Sequence, residues 1–135
     1  MSTPTVLFAC VHNSGRSVAA RVLAEHYAGD AIVAMSAGSE PGDVVNPVVA
    51  KVLAERGLST DTEVPKLLDF DAVVVADVVI TMGCGETCPV APGKRYEDWL
   101  VDDPAGRDLD TVRRIVDEID VRVRTLLESL AEIVG

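Results

Sequence analysis

The stretch from Thr5 to Tyr27 constrains this chain more than any other. Thr5-Val6-Leu7-Phe8-Ala9 is a short uninterrupted apolar run, the pattern of a strand covered on both faces as in a parallel sheet. It stops at Cys10, a turn follows at Asn13-Ser14-Gly15, and Ser17 to Tyr27 carries Val18, Arg21, Val22, Ala24 and Glu25 at helix-compatible spacing. The same alternation continues. Ala31 to Met35 reads as a second strand ended by Ser36-Ala37-Gly38. Asn46-Pro47 opens a helix through Val48, Val49, Val52 and Leu53 that Gly57 stops. Lys66 to Met82 is valine-rich but too long for one strand, so it divides into a helix through about Ala76 and a strand over Val78 to Met82. Lys94 to Trp99 reads as a fourth strand. From Leu109 onward Val112, Ile115, Val116, Ile119, Val123, Leu126, Leu127 and Leu130 mark a long amphipathic helix. Strands alternating with helices predict an α/β sandwich around a parallel sheet. Such sheets bind ligands at the carboxyl ends of their strands, and the first strand ends at Cys10.

Composition narrows the class. The chain has 135 residues and is 48% hydrophobic, which suits one domain spanning 1–135 with a core that needs no disulfide staples. No apolar stretch reaches the length of a membrane span, and Met1-Ser2-Thr3-Pro4 lacks the features of a signal peptide, so a cytoplasmic protein is expected. Acidic residues outnumber basic ones 22 to 12, a net charge of -10, which argues against nucleic acid or anionic membrane as a partner. An anion site in such a chain must rest on local amides and one or two arginines. Three cysteines in a reducing compartment are catalytic, metal-binding or merely buried, and one nucleophile plus one exchanging pair fits the count.

Cys10-Val11-His12-Asn13-Ser14-Gly15-Arg16-Ser17 carries the chemistry. Consecutive amides in a strand-to-helix loop can form a nest for a tetrahedral oxyanion, and the helix N-terminus adds partial positive charge. Arg16 can clamp two oxygens at once. Gly15 is expected to supply a backbone angle other residues resist. The same field favours the thiolate of Cys10, to which Ser17 can donate its hydroxyl, while Asn13 braces the loop. Read in isolation, Cys10 could be a small buried hydrophobe and Arg16 a surface charge. His12 is expected to point outward, with a solvated role as plausible as a tuning one, and Trp99 and Tyr96 to pack.

This segment resembles the active-site loop of the low-molecular-weight protein tyrosine phosphatases, and more closely that of the arsenate reductases sharing their fold. The likeness runs through Ser36-Ala37-Gly38, Asn46-Pro47, the later cysteines and Asp103-Pro104. It implies a single-domain three-layer sandwich with a central four-stranded parallel sheet. It implies Asp103 as general acid, its backbone restricted by Pro104, with Asp102 a solvated neighbour. It further implies that Cys10 attacks arsenate, that Cys84 attacks Cys10 as arsenite leaves, and that Cys88 attacks Cys84 to free Cys10. The external reductant would be thioredoxin, or a thiol of the mycothiol or glutathione type, since Cys84 and Cys88 lie closer together than in the best-known thioredoxin-coupled members. If helical, residues four apart sit on successive turns, within reach of a disulfide, and Gly83 and Gly85 would let the segment unwind. No bound cofactor, no metal and a monomer are expected. Two cysteines separated by three residues, Cys84 and Cys88, with only His12 and His26 elsewhere make a poor four-ligand zinc site. Asn13 and Ser36 match positions near a potassium ion in some members, but Arg21 stands where those carry an acid, so both are read as loop supports. Two other readings remain: a phosphatase that uses Cys10, Arg16 and Asp103 without the other thiols, and a module that binds an oxyanion or trivalent arsenic without turnover.

Overall fold

In the computed structural model, which describes residues 3–83 and 91–134, nine elements follow one another. They are β1 (Thr5–Cys10), α1 (Arg16–Ala28), a 3-10 turn (Gly29–Ala31), β2 (Val33–Gly38), α2 (Pro47–Glu55), α3 (Phe70–Val75), β3 (Val78–Met82), β4 (Arg95–Asp98) and α4 (Leu109–Val134). The four strands form one sheet in the order β2-β1-β3-β4, every pairing parallel. Parallel neighbours need crossovers, and the helices supply them.

The side-chain period of two sorts the central strand between two cores. Val6, Phe8 and Cys10 point with Val78, Ile80 and Met82 toward a large cluster that includes α1, α2 and α4. Leu7, Ala9 and Val79 point to the other face, where Val73 and Ala76 of the α3 region and Leu68 cover them. This is the three-layer sandwich expected. α4 buries Val112, Ile115, Val116, Ile119, Val123, Leu126 and Leu130 in the larger cluster, the stripe its periodicity announced. None of its windows is apolar enough to cross a membrane, and among the described residues no other helix is either.

Several boundaries differ from expectation, each for a reason outside its own segment. The second strand runs Val33–Gly38 rather than over Ala31 to Met35, because its register with β1 pairs Thr5 with Val33 and continues to Cys10 with Gly38. Lys66 to Asp69 are not helical. Leu68 N–H donates to Gly38 O and Gly38 N–H to Lys66 O, both at 2.8 Å, so this stretch extends the sheet edge as an isolated bridge instead. The helix begins only at Phe70, after Asp69 caps it by accepting from Ala72 N–H at 2.8 Å. Trp99 lies past β4, with its ring buried 5.9 Å from that of Phe8.

The topology places a crevice where ligand sites form in such sheets. From β1 the chain crosses to β2 on one side, and β3 lies on the other, so the carboxyl end of β1 is a switch point. Cys10 is the last residue of that strand.

Candidate active site

Backbone accounting explains the loop after β1. Cys10 O accepts from Ser39 N–H at 3.2 Å, Val11 O from Glu40 N–H at 2.7 Å, His12 O from Gly42 N–H at 2.9 Å and Ser14 O from Asn46 N–H at 2.7 Å. The segment from Gly38 to Asn46 thus takes up the loop's carbonyls one after another. Among the described residues none of the N–H groups of His12 to Gly15 donates to a protein group. Carbonyls turned out and amides left over are the makings of an anion nest at the start of α1. The path is tight enough that a Cβ at Gly38 would lie 2.6 Å from Val11 O and 2.8 Å from Asn13 N.

The left-handed backbone position in this loop is Asn13, with φ of 49°, not Gly15, whose φ is -135°. Asparagine tolerates that region better than most side chains. Glycine is needed at 15 for closeness instead, because a Cβ there would meet Pro104 Cγ at 2.8 Å. The loop and the Asp103-Pro104 turn therefore touch through the missing side chain.

Cys10 is only 2% exposed, and its Sγ lies 3.0 Å from Ser17 Oγ. Ser17 and Asn13 are both fully buried. Asn13 Nδ2 donates to Ser17 Oγ at 2.7 Å, and Asn13 Oδ1 accepts from Lys66 N–H at 2.9 Å. Ser17 Oγ accepts from the amide, so its single proton is free to be donated to the sulfur. Arg16 Nη1 donates to Val101 O at 3.2 Å, and Nη2 lies 3.9 Å from Asp103 Oδ2. A Cβ at Gly83, where φ is +91°, would sit 2.7 Å from Arg16 Nη1, so the guanidinium packs on a bare backbone. Asp103 is half exposed and its Oδ1 accepts from Ala105 N–H at 3.0 Å.

A small cleft is lined by Cys10, His12, Ser14, Gly15, Arg16, Asn46, Asp103, Pro104 and Ala105. It brings together the thiol, the loop, the arginine and the acid singled out by sequence, and Ser17 supports the thiol from below. His12 is exposed, as expected; its Nδ1 lies 2.9 Å from Glu40 O and, facing a carbonyl, acts as the donor. Asp102 is exposed. Trp99 packs in the core, and the Tyr96 hydroxyl donates to Ala91 O and accepts from Ala91 N–H, so neither ring lines the cleft. Ser36 is buried within β2, paired with Phe8. Cys84 and Cys88 lie outside the described residues.

Sequence reasoning missed Asn46 as a wall of the cleft, Gly38 and Gly83 as points of close approach, and Lys66 as the partner of Asn13. The Asn46-Pro47 pair was legible as a helix start, and Asn46 Oδ1 does accept from Val48 N–H at 2.9 Å. Nothing in the local pattern placed it in one cleft with Cys10.

A thiol at the floor of an amide loop, with a guanidinium and a carboxyl at its rim, defines the class of phosphatase-like proteins. The chain belongs to the low molecular weight phosphotyrosine protein phosphatase family, matched over residues 5–134. Among its relatives, arsenate reductase 1 of Bacillus cereus is 35% identical, with 93% of this chain and 95% of that protein covered. Arsenate reductase 1 of Staphylococcus epidermidis is 34% identical, with 93% and 96% covered. The solved thioredoxin-dependent arsenate reductase of Corynebacterium glutamicum is 45% identical with a TM-score of 0.85; it covers 95% of this chain, which spans 62% of that longer one.

Proposed function

We propose that this protein reduces arsenate to arsenite, with Cys10 as nucleophile and an external dithiol as the final electron donor. The observation that carries the reading is the Asn13–Ser17–Cys10 chain of hydrogen bonds, which leaves a proton facing the sulfur at the floor of the oxyanion loop. The arsenate reductases among the relatives, similar over almost the whole chain, support the choice of oxyanion.

Arsenate enters the cleft with its oxygens on the loop amides and Arg16, where local donors offset the acidic surface. The Cys10 thiolate attacks arsenic and an As–S bond forms as an oxygen leaves as water, with Asp103 delivering the proton. The Cys84 thiolate then attacks Cys10 Sγ. The S–S bond forms, the As–S electron pair stays on arsenic, and As(V) departs as arsenite, As(III). Cys88 attacks Cys84, which frees Cys10 and leaves a Cys84–Cys88 disulfide. An external dithiol reduces that disulfide, and the thioredoxin dependence of the Corynebacterium protein supports thioredoxin in this role. A cleft of this size without an aromatic wall suits a small inorganic oxyanion better than phosphotyrosine.

Arsenate-dependent NADPH oxidation in the presence of thioredoxin and thioredoxin reductase tests this. Wild type is expected to cycle, Cys10→Ser to be inert, and Cys88→Ser to complete at most one turnover. Normal cycling by Cys88→Ser sinks the relay. Turnover only with mycothiol or glutathione replaces the reductant, and hydrolysis of p-nitrophenyl phosphate without any arsenate reduction favours a phosphatase.

A further inference from the structure

Away from the cleft, an ion pair joins Arg21 of α1 to Glu63, in the segment that precedes α3. Arg21 Nε donates to Glu63 Oε1 at 2.6 Å and Nη2 to Glu63 Oε2 at 2.7 Å, a two-point grip. The Glu63 side chain is 6% exposed and that of Arg21 18%, so the pair is largely shielded. Arg21 Nη1 also donates to Glu25 Oε2 at 2.5 Å. The mechanism above uses none of these groups.

What the grip holds lies three residues on. Lys66 N–H donates to Asn13 Oδ1, and Lys66 O accepts from Gly38 N–H. Asn13 is fully buried, and its amide has two ends of opposite polarity. With Oδ1 held by Lys66 N–H, Nδ2 must face Ser17 Oγ, and the hydroxyl proton is left for Cys10. If the amide turned over, Oδ1 would face Ser17 and draw that proton away from the sulfur. The direction of the whole chain is therefore set at the Lys66 amide.

We propose that Arg21 and Glu63 are positioning residues for Cys10: by clamping the 63–66 segment to α1 they orient the Asn13 amide, and through Ser17 they keep the thiolate stabilised. This rests on Cys10 being the nucleophile. The clamp acts at a distance from the cleft, whose titratable groups besides Cys10 itself are His12, Arg16 and Asp103. Glu25 and Lys66 line the clamp's side with Arg21 and Glu63.

The test is the pH profile of Cys10 alkylation by iodoacetamide on the full chain, read at the Cys10 peptide by mass spectrometry. It needs no arsenate, so a failure of the reductase reading shows in turnover and a failure of the clamp shows here. Through-space charge alone predicts opposite effects, since removing Glu63 would favour the thiolate and removing Arg21 would disfavour it. Positioning predicts the same sign for both. Glu63→Ala and Arg21→Met should each move the midpoint upward by about one pH unit, the loss of one hydrogen bond to a charged acceptor. The double variant should move it no further, because both break one clamp. The exchange Arg21→Glu with Glu63→Arg should recover part of the shift. Arg21→Lys, which keeps the charge but not the two-point grip, carries the test if Arg21→Met does not fold. Midpoints unchanged from wild type, or shifts of opposite sign in the two single variants, overturn the proposal even where the melting temperature falls.

Discussion

Three glycines shape the site by what they lack. Gly38 lets the loop carbonyls be taken up by the following segment, Gly83 lets Arg16 lie on the backbone, and Gly15 lets Pro104 approach. The last contact decides where Asp103 sits relative to Cys10. Gly15→Ala would place a methyl group 2.8 Å from Pro104 Cγ, and that ring is held in a turn rather than at the end of a flexible side chain. The expected result is a fall in arsenate kcat/KM of about ten- to hundredfold, the usual effect of misplacing a catalytic group by around an ångström, with little change in circular dichroism. Kinetics equal to wild type would mean that Asp103 does not act from its present position. At this scale the residue types were legible from sequence: cysteine, arginine, serine and asparagine sit where their order implied. The reason for Gly15 was not, since a backbone angle is a local property but a neighbour 89 positions along the chain is not.

Elements are joined at the surface by carboxylates whose charge the fold favours. Glu55 at the end of α2 accepts from Arg113 of α4 at 3.0 and 2.7 Å, and these hydrogen bonds hold its carboxyl below the usual range against the opposing effect of desolvation. Asp108 precedes α4 and accepts from Thr111 N–H at 3.2 Å; the hydrogen bonds of Thr111, side chain first, lower it too. A carboxylate with a lowered folded pKa contributes stability that is present above its unfolded value and is lost as pH falls through the folded one. The melting temperature should therefore fall as the pH is taken from about 6 to about 3, and Glu55→Gln should flatten that fall. A Glu55→Gln variant that loses melting temperature in parallel with wild type throughout would show that the α2–α4 clip carries none of it. At this scale, helix α4 was readable because its stripe repeats seven times on one face, whereas the 66–69 stretch was misread as helix. Its two leucines, Leu67 and Leu68, suit either state. Only the unpaired edge of β2 at Gly38 settles it as an extended bridge.

Over the whole molecule, two cores on either side of one sheet hold the thiol in place. Phe8 is fully buried beside Trp99, two residues before Cys10 on the same face of β1. Phe8→Ala should cost about 3–5 kcal/mol in denaturant unfolding, through lost burial and the cavity left behind. Leu100→Ala, at a side chain 82% exposed, should stay within about 0.5 kcal/mol. Comparable losses in both would mean that the packing around β1 does not dominate stability. The acidic surface, net -10, leaves the cleft dependent on its amides and Arg16, as composition required. What the sequence determined by itself were the period of each segment, and so the alternation of strands and helices, and the residue types that the loop from Cys10 to Ser17 brings to the end of β1. Those follow from neighbours along the chain, which share one backbone and one face. Register, helix ends, the strap from Gly38 to Asn46 and the grip of Lys66 on Asn13 were decided only by the tertiary structure. Each depends on hydrogen-bonding groups and atoms that meet across the sheet edge, and periodicity reports which face is covered but not what covers it.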